Sequence, residues 1–298
     1  MNKSIALSFT LMLAASAAFA RGSYRSGPYL GEMSAQELVV ILSGHADAAY
    51  RDAAATALGR SGVNKGDKES LAALLHAMQS DPDARVRTYA ASSLLERTEE
   101  SAFSPLLAAL ADTSAPERLR SMIAFRIHML EDRRAVPVLL QVLSEPALRF
   151  ECIHSLGELR AVEAVEPLID IVQAHLLHGE EAGDDFIRHS AEIAEGGDAL
   201  GKIGDVRGLR AVLPMIDQKV IYRRQVAVEA ISAICKGKGA SEECASTAPV
   251  LRTACESDKD SRVRNASRDA LAGMNAGTCN PLLPISKYLP QELRDTVR

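Results

Sequence analysis

Three of the seven histidines lie in one acidic stretch near the middle of the chain. His175 and His178 are three residues apart on a predicted helix and share a face, and His189 follows. Because imidazole and carboxylate groups are ligands for zinc and other transition metals, the stretch is a candidate metal site. Its spacing matches neither HExxH nor a calcium loop, which favours a solvated acidic insertion or a partner-contacting loop instead. The neighbouring acids are Glu180, Glu181, Asp184 and Asp185.

Six arginines recur at one position of a repeated pattern. Seven segments rich in small residues each close on a Leu or Ile, which we term the anchor residue, and Arg lies seven residues before six of the seven anchors. The fifth segment has Ile193 there instead. Apart from a step of 75 residues across the segment that lacks Arg, the arginines recur at steps of 29 to 40 residues, a period typical of two-helix repeats. The anchors are Leu58, Leu94, Ile127, Leu156, Leu200, Ile231 and Leu271, and the arginines are Arg51, Arg87, Arg120, Arg149, Arg224 and Arg264.

A second predicted helix pairs with each of these segments. In "AVPVLLQVL" (residues 135–143) and "AVEPLIDIV" (residues 164–172), Pro stands near the helix start, where its missing N–H is not needed. The stretches "DALGKIGDVRGLRAVLPMI" (residues 198–216) and "SLGELRAVEAVEPLIDIV" (residues 155–172) resemble HEAT repeats of the short type first known from phycobilisome lyases. The resemblance implies an all-α fold, an α-solenoid of about seven stacked two-helix repeats, with second helices on the concave side. No residue matches a lyase chromophore site by motif.

The same resemblance implies a role for the arginines. In such repeats Asp and Arg side chains stack into a ladder between units, so a structural role is favoured. An acid lies four residues before four of the arginines, which is a favourable orientation for an ion pair on a helix. Binding of an acidic partner by the arginines is the alternative interpretation. The acids are Asp47, Asp83, Glu145 and Asp260.

The pattern predicts four segments of the chain. Residues 1–20 read as a secretory signal peptide, with Lys3, a short apolar run and a small-x-small end at Ala18–Ala20. Residues 21–33 are predicted to be a flexible segment, residues 34–273 the repeats, and residues 274–298 a capping tail. An irregular insertion is expected at about residues 174–199, because Gly196 and Gly197 stand where a helix should continue. Left-handed helix ends are expected at Gly59, Gly157 and Gly201.

Five cysteines in an exported chain suggest disulfides and one spare thiol. Cys152 occupies a small core position and is expected to be free and buried. Cys235 ends one helix and Cys244 begins the next, which places them at adjacent ends of a hairpin. Cys255 lies further along that helix, so the expected second pair is Cys255 with Cys279, pinning the tail over the last repeat.

The composition of the chain argues against some classes of function. The net charge of −5 and the absence of Trp argue against nucleic-acid binding. After the N-terminal run no stretch is long enough to span a membrane, so the chain is expected to be exported to a bacterial periplasm or the medium.

The favoured function is an exported, non-enzymatic protein–protein interaction scaffold with a concave helical surface. The sequence lacks GxSxG, a phosphate loop and a recognisable Cys–His motif, and no cofactor is expected. Two alternatives stay open. One is a metal-dependent or enzymatic protein with a site near residues 174–199, and the other is a purely structural envelope component.

Overall fold

The computed structural model describes residues 28–60, 67–177, 184–238 and 241–279, and within these ranges the protein is all-α. Fourteen α-helices and no strand occur there. Contacts divide the chain into two compact units, residues 1–102 and 103–298, which are described in turn.

The first unit contains two helical hairpins. Helix α1 begins directly after its N-cap residue, Ser34, whose side chain forms a capping box with Glu37. Asp47, Asp67 and Asp83 cap the next three helices by accepting backbone N–H groups that would otherwise lack partners. Each hairpin packs its two helices together, α1 packs on α3, and α2 packs on α4. The helices are α1 (Ala35–Gly44), α2 (Ala48–Gly59), α3 (Lys68–Ser80) and α4 (Ala84–Arg97).

The second unit continues the alternation. It begins within α5 (Glu100–Ala111), and its even-numbered helices α6, α8, α10, α12 and α14 pack on one another in succession. We call these even-numbered helices the second helices. The remaining helices are α6 (Glu117–Arg126), α7 (Ala135–Val142), α8 (Arg149–Glu158), α9 (Val165–Leu177), α10 (Asp184–Ile203), α11 (Leu209–Val212), α12 (Ile221–Ile234), α13 (Glu242–Ser257) and α14 (Ser261–Gly273).

All seven anchor residues are buried, as expected if the predicted register defines the core. Each lies in, or directly after, one of the second helices, and the first helix of the same pair precedes it in the chain. The prediction of about seven two-helix repeats is therefore confirmed. Short 3₁₀ turns, such as Ile127–Leu130 after α6, extend some helix ends.

Glycines within the second helices serve close packing, which corrects the prediction of left-handed helix ends. A Cβ added at Gly157 would lie 2.7 Å from Ala199 Cβ, and one at Gly201 would lie 3.0 Å from Ala230 Cα. Gly59 meets Ser93 in the same way. Left-handed conformations occur instead beyond the helices, at Thr98, Glu131, Arg160 and Gly204 among others.

Helix α10 also corrects the expectation of an irregular insertion. It runs without a break from Asp184 to Ile203 and includes both Gly196 and Gly197. A Cβ at Gly196 would lie 2.5 Å from Val172 Cγ2, so this glycine is needed where α9 approaches. Residues 178–183, which include His178, lie outside the described residues.

Two disulfides fasten the last repeats. Cys235 at the end of α12 is joined to Cys244 at the start of α13, with Cα atoms 5.5 Å apart. Cys255 in α13 is joined to Cys279, which follows α14, with Cα atoms 6.3 Å apart. Both are the pairs expected from the sequence, and Cys152 is the buried free cysteine.

The two ends of the chain are only partly described. Residues 1–27, which include the predicted signal peptide, and residues 280–298 of the predicted tail lie outside the described residues. In the described ranges, no helix has both the length and the apolar character required to cross a bilayer.

Replacement of Gly157 by Ala should destabilise the protein. Gly to Ala within a helix ordinarily stabilises by up to about 1 kcal/mol, but here the added methyl would collide with Ala199 on the neighbouring helix. We expect a lower melting temperature by calorimetry. Gly44→Ala is the matched control, because nothing lies within 4 Å of its added Cβ. Equal effects of the two substitutions would contradict the packing role of Gly157.

Candidate functional site

Three of the recurring arginines join their own repeat to the next through a two-pronged ion pair. Arg51 donates from Nε and Nη2 to the two carboxylate oxygens of Asp81, at 2.8 and 2.9 Å, and Asp81 belongs to the following repeat. Arg224 holds Asp258 in the same two-pronged manner, at 2.8 and 3.0 Å. Such bidentate pairs are the strong form of a charge-assisted hydrogen bond. A further pair, Arg120 with Glu145, has both distances at 2.7 Å.

The same arginines close the end of the preceding first helix. Arg51 donates to His45 O at 2.8 Å, and Arg87 donates to Asp81 O at 2.5 Å. Carbonyl groups in the last turn of a helix have no partner within the helix, so the guanidinium group supplies one. Equivalent bonds run from Arg149 to Leu143 O, from Arg224 to Gln218 O and from Arg264 to Asp258 O.

The acid four residues before the arginine is not its partner, which corrects the predicted pairing. Asp47, Asp83 and Asp260 accept backbone N–H groups at the N-termini of their own helices. Glu145 pairs with Arg120 of the preceding repeat. A ladder between repeats is thus present, although its acidic members lie elsewhere than expected.

In this ladder the hydrogen bonds between charged groups outweigh the effect of burial on their pKa values. The side-chain hydrogen bond to Asp81 raises the pKa of Arg51 above its ordinary value. Burial acts to raise the pKa of Asp81, but the hydrogen bonds from Arg51 and from the Asp83 backbone outweigh it, so that pKa is lowered. Both side chains are buried, so the structure favours a structural role for Arg51. Partner binding by the six arginines stays a prediction.

The repeat that lacks the arginine contains a different polar group, which we call the Glu192 cluster: Arg149, His175, His189 and Glu192. His175 Nε2 lies 2.7 Å from Glu192 Oε2, and Arg149 Nη1 lies 3.5 Å from the same oxygen. The His175 and His189 rings are stacked with centroids 4.3 Å apart. Glu192 is fully buried, and its Oε1 has no hydrogen-bond partner among the described residues. Burial lowers the pKa of His175.

Two of the three histidines predicted as metal ligands therefore meet, while His178 lies outside the described residues. His175 already uses its Nε2 for Glu192. In the described part of the chain, no group of three or more His, Cys, Asp or Glu side chains is positioned to hold a metal ion. A metal site involving His175, His178 and His189 stays a prediction.

A second group was missed by the sequence analysis. We call it the His154 cluster: Phe125, His128, His154 and Glu195, drawn from α6, the turn after it, α8 and α10. The His154 ring stacks on Phe125 with centroids 4.4 Å apart, and its Nδ1 lies 2.8 Å from Glu195 Oε1. The His128 ring meets His154 edge-on at 5.1 Å. The cluster spans three consecutive second helices or their ends and is only partly buried.

An ion network lies beside the His154 cluster. Lys202 Nζ is 2.6 Å from Glu158 Oε1 and 2.5 Å from Asp198 Oδ2. Burial lowers the pKa of Lys202, but hydrogen bonds to the two carboxylates outweigh burial and raise it. Burial likewise acts to raise the pKa of Glu158, yet the bond from Lys202 leaves it lowered. Lys202 and Glu158 are thus held in their charged forms.

A signal for this surface was present in the sequence. Five residues after the arginine position, the five second helices of the second unit carry Phe125, His154, Asp198, Glu229 and Asp269. These positions point away from the small-residue contacts, so they line one face of successive helices. The arginines and the small residues report the packing between repeats, whereas this outward position reports the face that the packing leaves uncovered.

These features define the class of protein: an all-α repeat protein whose second helices form a continuous layer within each unit. The sequence of residues 35–126 matches the family model for HEAT repeats, and no curated protein matches the chain. The complex of CpcE and CpcF of phycocyanin lyase from Nostoc sp. is similar in structure, with a TM-score of 0.50 and 21% identity over 68% of this chain and 76% of that chain.

Two further solved structures align more loosely. Human deoxyhypusine hydroxylase in complex with glycerol aligns with a TM-score of 0.37 and 17% identity, over 82% of this chain and 96% of that one. An engineered protein aligns with a TM-score of 0.39 and 17% identity, over 82% of this chain and 98% of that one. At these identities the likeness to the lyase complex concerns the fold alone.

Replacement of one ladder arginine should lower the stability of the protein. Arg51→Met leaves the buried Asp81 carboxylate without its main partner, and we expect a loss of about 3 kcal/mol in the free energy of unfolding. Urea denaturation at pH 7 measures it. The double variant Arg51→Met with Asp81→Asn should recover most of the loss, because no uncompensated charge stays buried.

The pH dependence gives a second check on the same pair. The lowered pKa of Asp81 means that wild type keeps this contribution above the unfolded pKa of about 3.9 and loses it as pH falls through the folded value. In Arg51→Met, burial instead raises the pKa of Asp81. Protonation of Asp81 at lower pH then removes the uncompensated buried charge from the variant. The difference in the free energy of unfolding between wild type and Arg51→Met should therefore become smaller from pH 7 to pH 4. A difference that stays constant over this range would contradict this account.

Proposed function

We propose that the protein is an exported protein–protein interaction scaffold that binds its partner on the second helices α6, α8 and α10. The observation that carries the proposal is the row of side chains across these helices, in which Phe125 stacks on His154 and His154 bonds to Glu195. HEAT repeats present successive helices as an extended surface, which suits recognition of another protein. The similar lyase structure is itself a complex of two proteins.

The chemistry of this row indicates the kind of partner. Glu158 and Asp198 have exposed carboxylates, Glu195 lies between them in the chain, and Lys202 is the one cation bonded to this group in the described residues. Met129, in the 3₁₀ turn after α6, adds an exposed apolar side chain. A partner segment with basic side chains and an apolar contact fits this combination, because potentials across protein interfaces are complementary.

Export rests on the N-terminal sequence and on the cysteines. A short apolar run that ends in Ala18, Phe19 and Ala20 is typical of a signal peptide. Two disulfides are compatible with an oxidising compartment, since cytosolic thiols are kept reduced. Cleavage before Arg21 and a periplasmic or extracellular location are therefore part of the proposal.

A metal-dependent or enzymatic function is the second candidate. It is favoured by one observation, the buried Glu192 carboxylate with an unpartnered oxygen beside His175 and His189. Buried polar groups without partners are uncommon and often mark functional positions. A purely structural envelope role is distinguished from both by stable assembly rather than saturable binding.

Site-specific photo-crosslinking tests the proposed surface. A photoreactive amino acid at Met129 or Asp198 should capture one reproducible partner in cells, which mass spectrometry then identifies. The same residue at Gln141, exposed on the first helix α7, is the matched control and should not capture it. Capture from Gln141 alone would place the interface on the other helix layer and overturn the proposal.

N-terminal sequencing of the protein recovered from the periplasm or medium tests export in the same cells. We expect the mature chain to begin at Arg21. A full-length chain confined to the cytoplasm would remove export from the proposal while leaving the crosslinking result interpretable.

A further inference from the structure

The His154 cluster contains two imidazole rings that lie against each other. His128 belongs to the 3₁₀ turn Ile127–Leu130, which follows α6, and His154 lies on α8. The rings meet edge-on, with centroids 5.1 Å apart and planes inclined at 77°, and both side chains are partly buried. Histidine is the side chain whose ordinary pKa places its change of charge between about pH 5 and pH 8. The charge of this pair of rings therefore depends on pH.

The hydrogen bonds of the two rings show where a further proton would bind. His154 Nδ1 lies 2.8 Å from Glu195 Oε1, and His128 Nδ1 lies 3.0 Å from Phe125 O. Because carboxylate and carbonyl oxygens accept, Nδ1 carries the proton of each neutral ring and donates. A further proton is taken up at Nε2, so both of these hydrogen bonds are compatible with the neutral and the charged ring.

The surroundings of His128 oppose its protonation. Burial is the largest cause that lowers the pKa of His128, and the neighbouring His154 and, more weakly, Lys202 lower it further. Glu158 and the Phe125 carbonyl group act in the opposite direction without reversing the result. A proton on His128 thus places a positive charge in a partly buried site, beside a second imidazole and an ammonium group.

Acidic groups predominate in the network around the pair. Glu195 is bonded to His154, and Glu158 lies one helical turn after His154 on α8. Lys202 Nζ is bonded to Glu158 and to Asp198, so three carboxylates and one ammonium group form a network with the rings. Each proton that the pair takes up offsets one of these carboxylate charges.

One further acid lies near His154 on the same helix. Glu151 precedes His154 by three residues, and its carboxyl group accepts a hydrogen bond from Ser121 Oγ at 2.8 Å. Burial raises the pKa of Glu151, so a fall in pH neutralises this group before an ordinary glutamate. Acid therefore removes negative charge here as well.

We propose that the His128–His154 pair makes partner binding on this surface dependent on pH, with proton uptake in acid weakening the binding of a basic partner. The inference rests on the proposed function, because it concerns the same second helices. Charge complementarity across an interface is reduced when the acidic side gains positive charge. Histidine clusters at protein interfaces act as pH sensors in this manner.

The turn that carries His128 adds a second effect. Repulsion of a charged His128 by His154 and Lys202 favours movement of the turn Ile127–Leu130 away from α8. Met129 lies in this turn and supplies the apolar contact of the proposed surface. Acid thus weakens the charged and the apolar parts of partner binding together.

NMR titration of the histidine ring protons tests the pair in the mature, untagged protein without a partner. In wild type, which needs no substitution, the His128 signals should titrate with a midpoint below about 6.5. The midpoint should rise in His154→Gln, because the neighbouring ring that opposes protonation is removed. His76→Gln, at an exposed position on α3, is the matched control and should leave the His128 midpoint unchanged. Absence of titration of both rings between pH 5 and pH 7.5 would overturn the proposal.

Crosslinking at two pH values tests the effect on the partner. With the photoreactive amino acid at Met129, cells kept at pH 5.5 should give about three- to tenfold less captured partner than cells at pH 7.5. The double variant His128→Gln with His154→Gln should give equal capture at both pH values, because glutamine stays uncharged.

The outcomes separate this inference from the proposed function. Equal capture by wild type at both pH values would overturn the pH dependence and leave the binding surface in place. An equal loss of capture in wild type and in the double variant would assign the pH dependence to the partner and overturn the inference. Absence of capture at both pH values would be a failure of the proposed surface, and the inference would fail with it.

Discussion

Close approach of neighbouring second helices is the constraint on which the rest of the protein depends. Gly157 against Ala199 and Gly201 against Ala230 leave no room for a methyl group, so these helices meet nearly backbone to backbone. Helices packed at this distance bury their small faces against each other and turn their remaining side chains outward. The inner contact thereby decides which residues of one repeat lie beside which residues of the next.

Two sets of side chains follow from that spacing. At the start of every second helix except α10, an arginine reaches the end of its own first helix and, in several repeats, the acid of the following repeat, as Arg51 and Arg224 do. On the outward face, residues at one register position come into contact across helices, as Phe125 and His154 do. The arginines stabilise the stack of repeats through buried charge pairs, and the side chains on the outward face are available to bind a partner.

The one repeat without the arginine shows how the pattern is adapted. Ile193 occupies the position, and Arg149 of the preceding repeat turns to Glu192, which also holds His175. A buried carboxylate oxygen without a hydrogen-bond partner lowers the stability of the folded state unless another group compensates it. Glu192 is therefore expected to destabilise this repeat relative to its neighbours. The neighbouring His154 cluster is also partly buried, and the surface proposed for the partner includes it.

The sequence by itself determined the repeat, its register and the paired cysteines. Anchors at a constant distance from the arginines predicted which residues would be buried, because helical periodicity and small-residue packing are local rules that each repeat obeys separately. The cysteines followed, because hairpin ends are adjacent in space. Cys235 and Cys244 needed only that geometry to be paired.

The tertiary structure alone decided which charges and rings meet. Asp47 looked like the partner of Arg51, but it caps its own helix, and Asp81 of the next repeat takes the guanidinium group. Gly196 and Gly197 looked like a break, but the approach of other helices makes them part of a continuous α10. His128 and His154 meet for the same reason: contacts between repeats depend on how far one helix is shifted along its neighbour, and no local pattern encodes that shift.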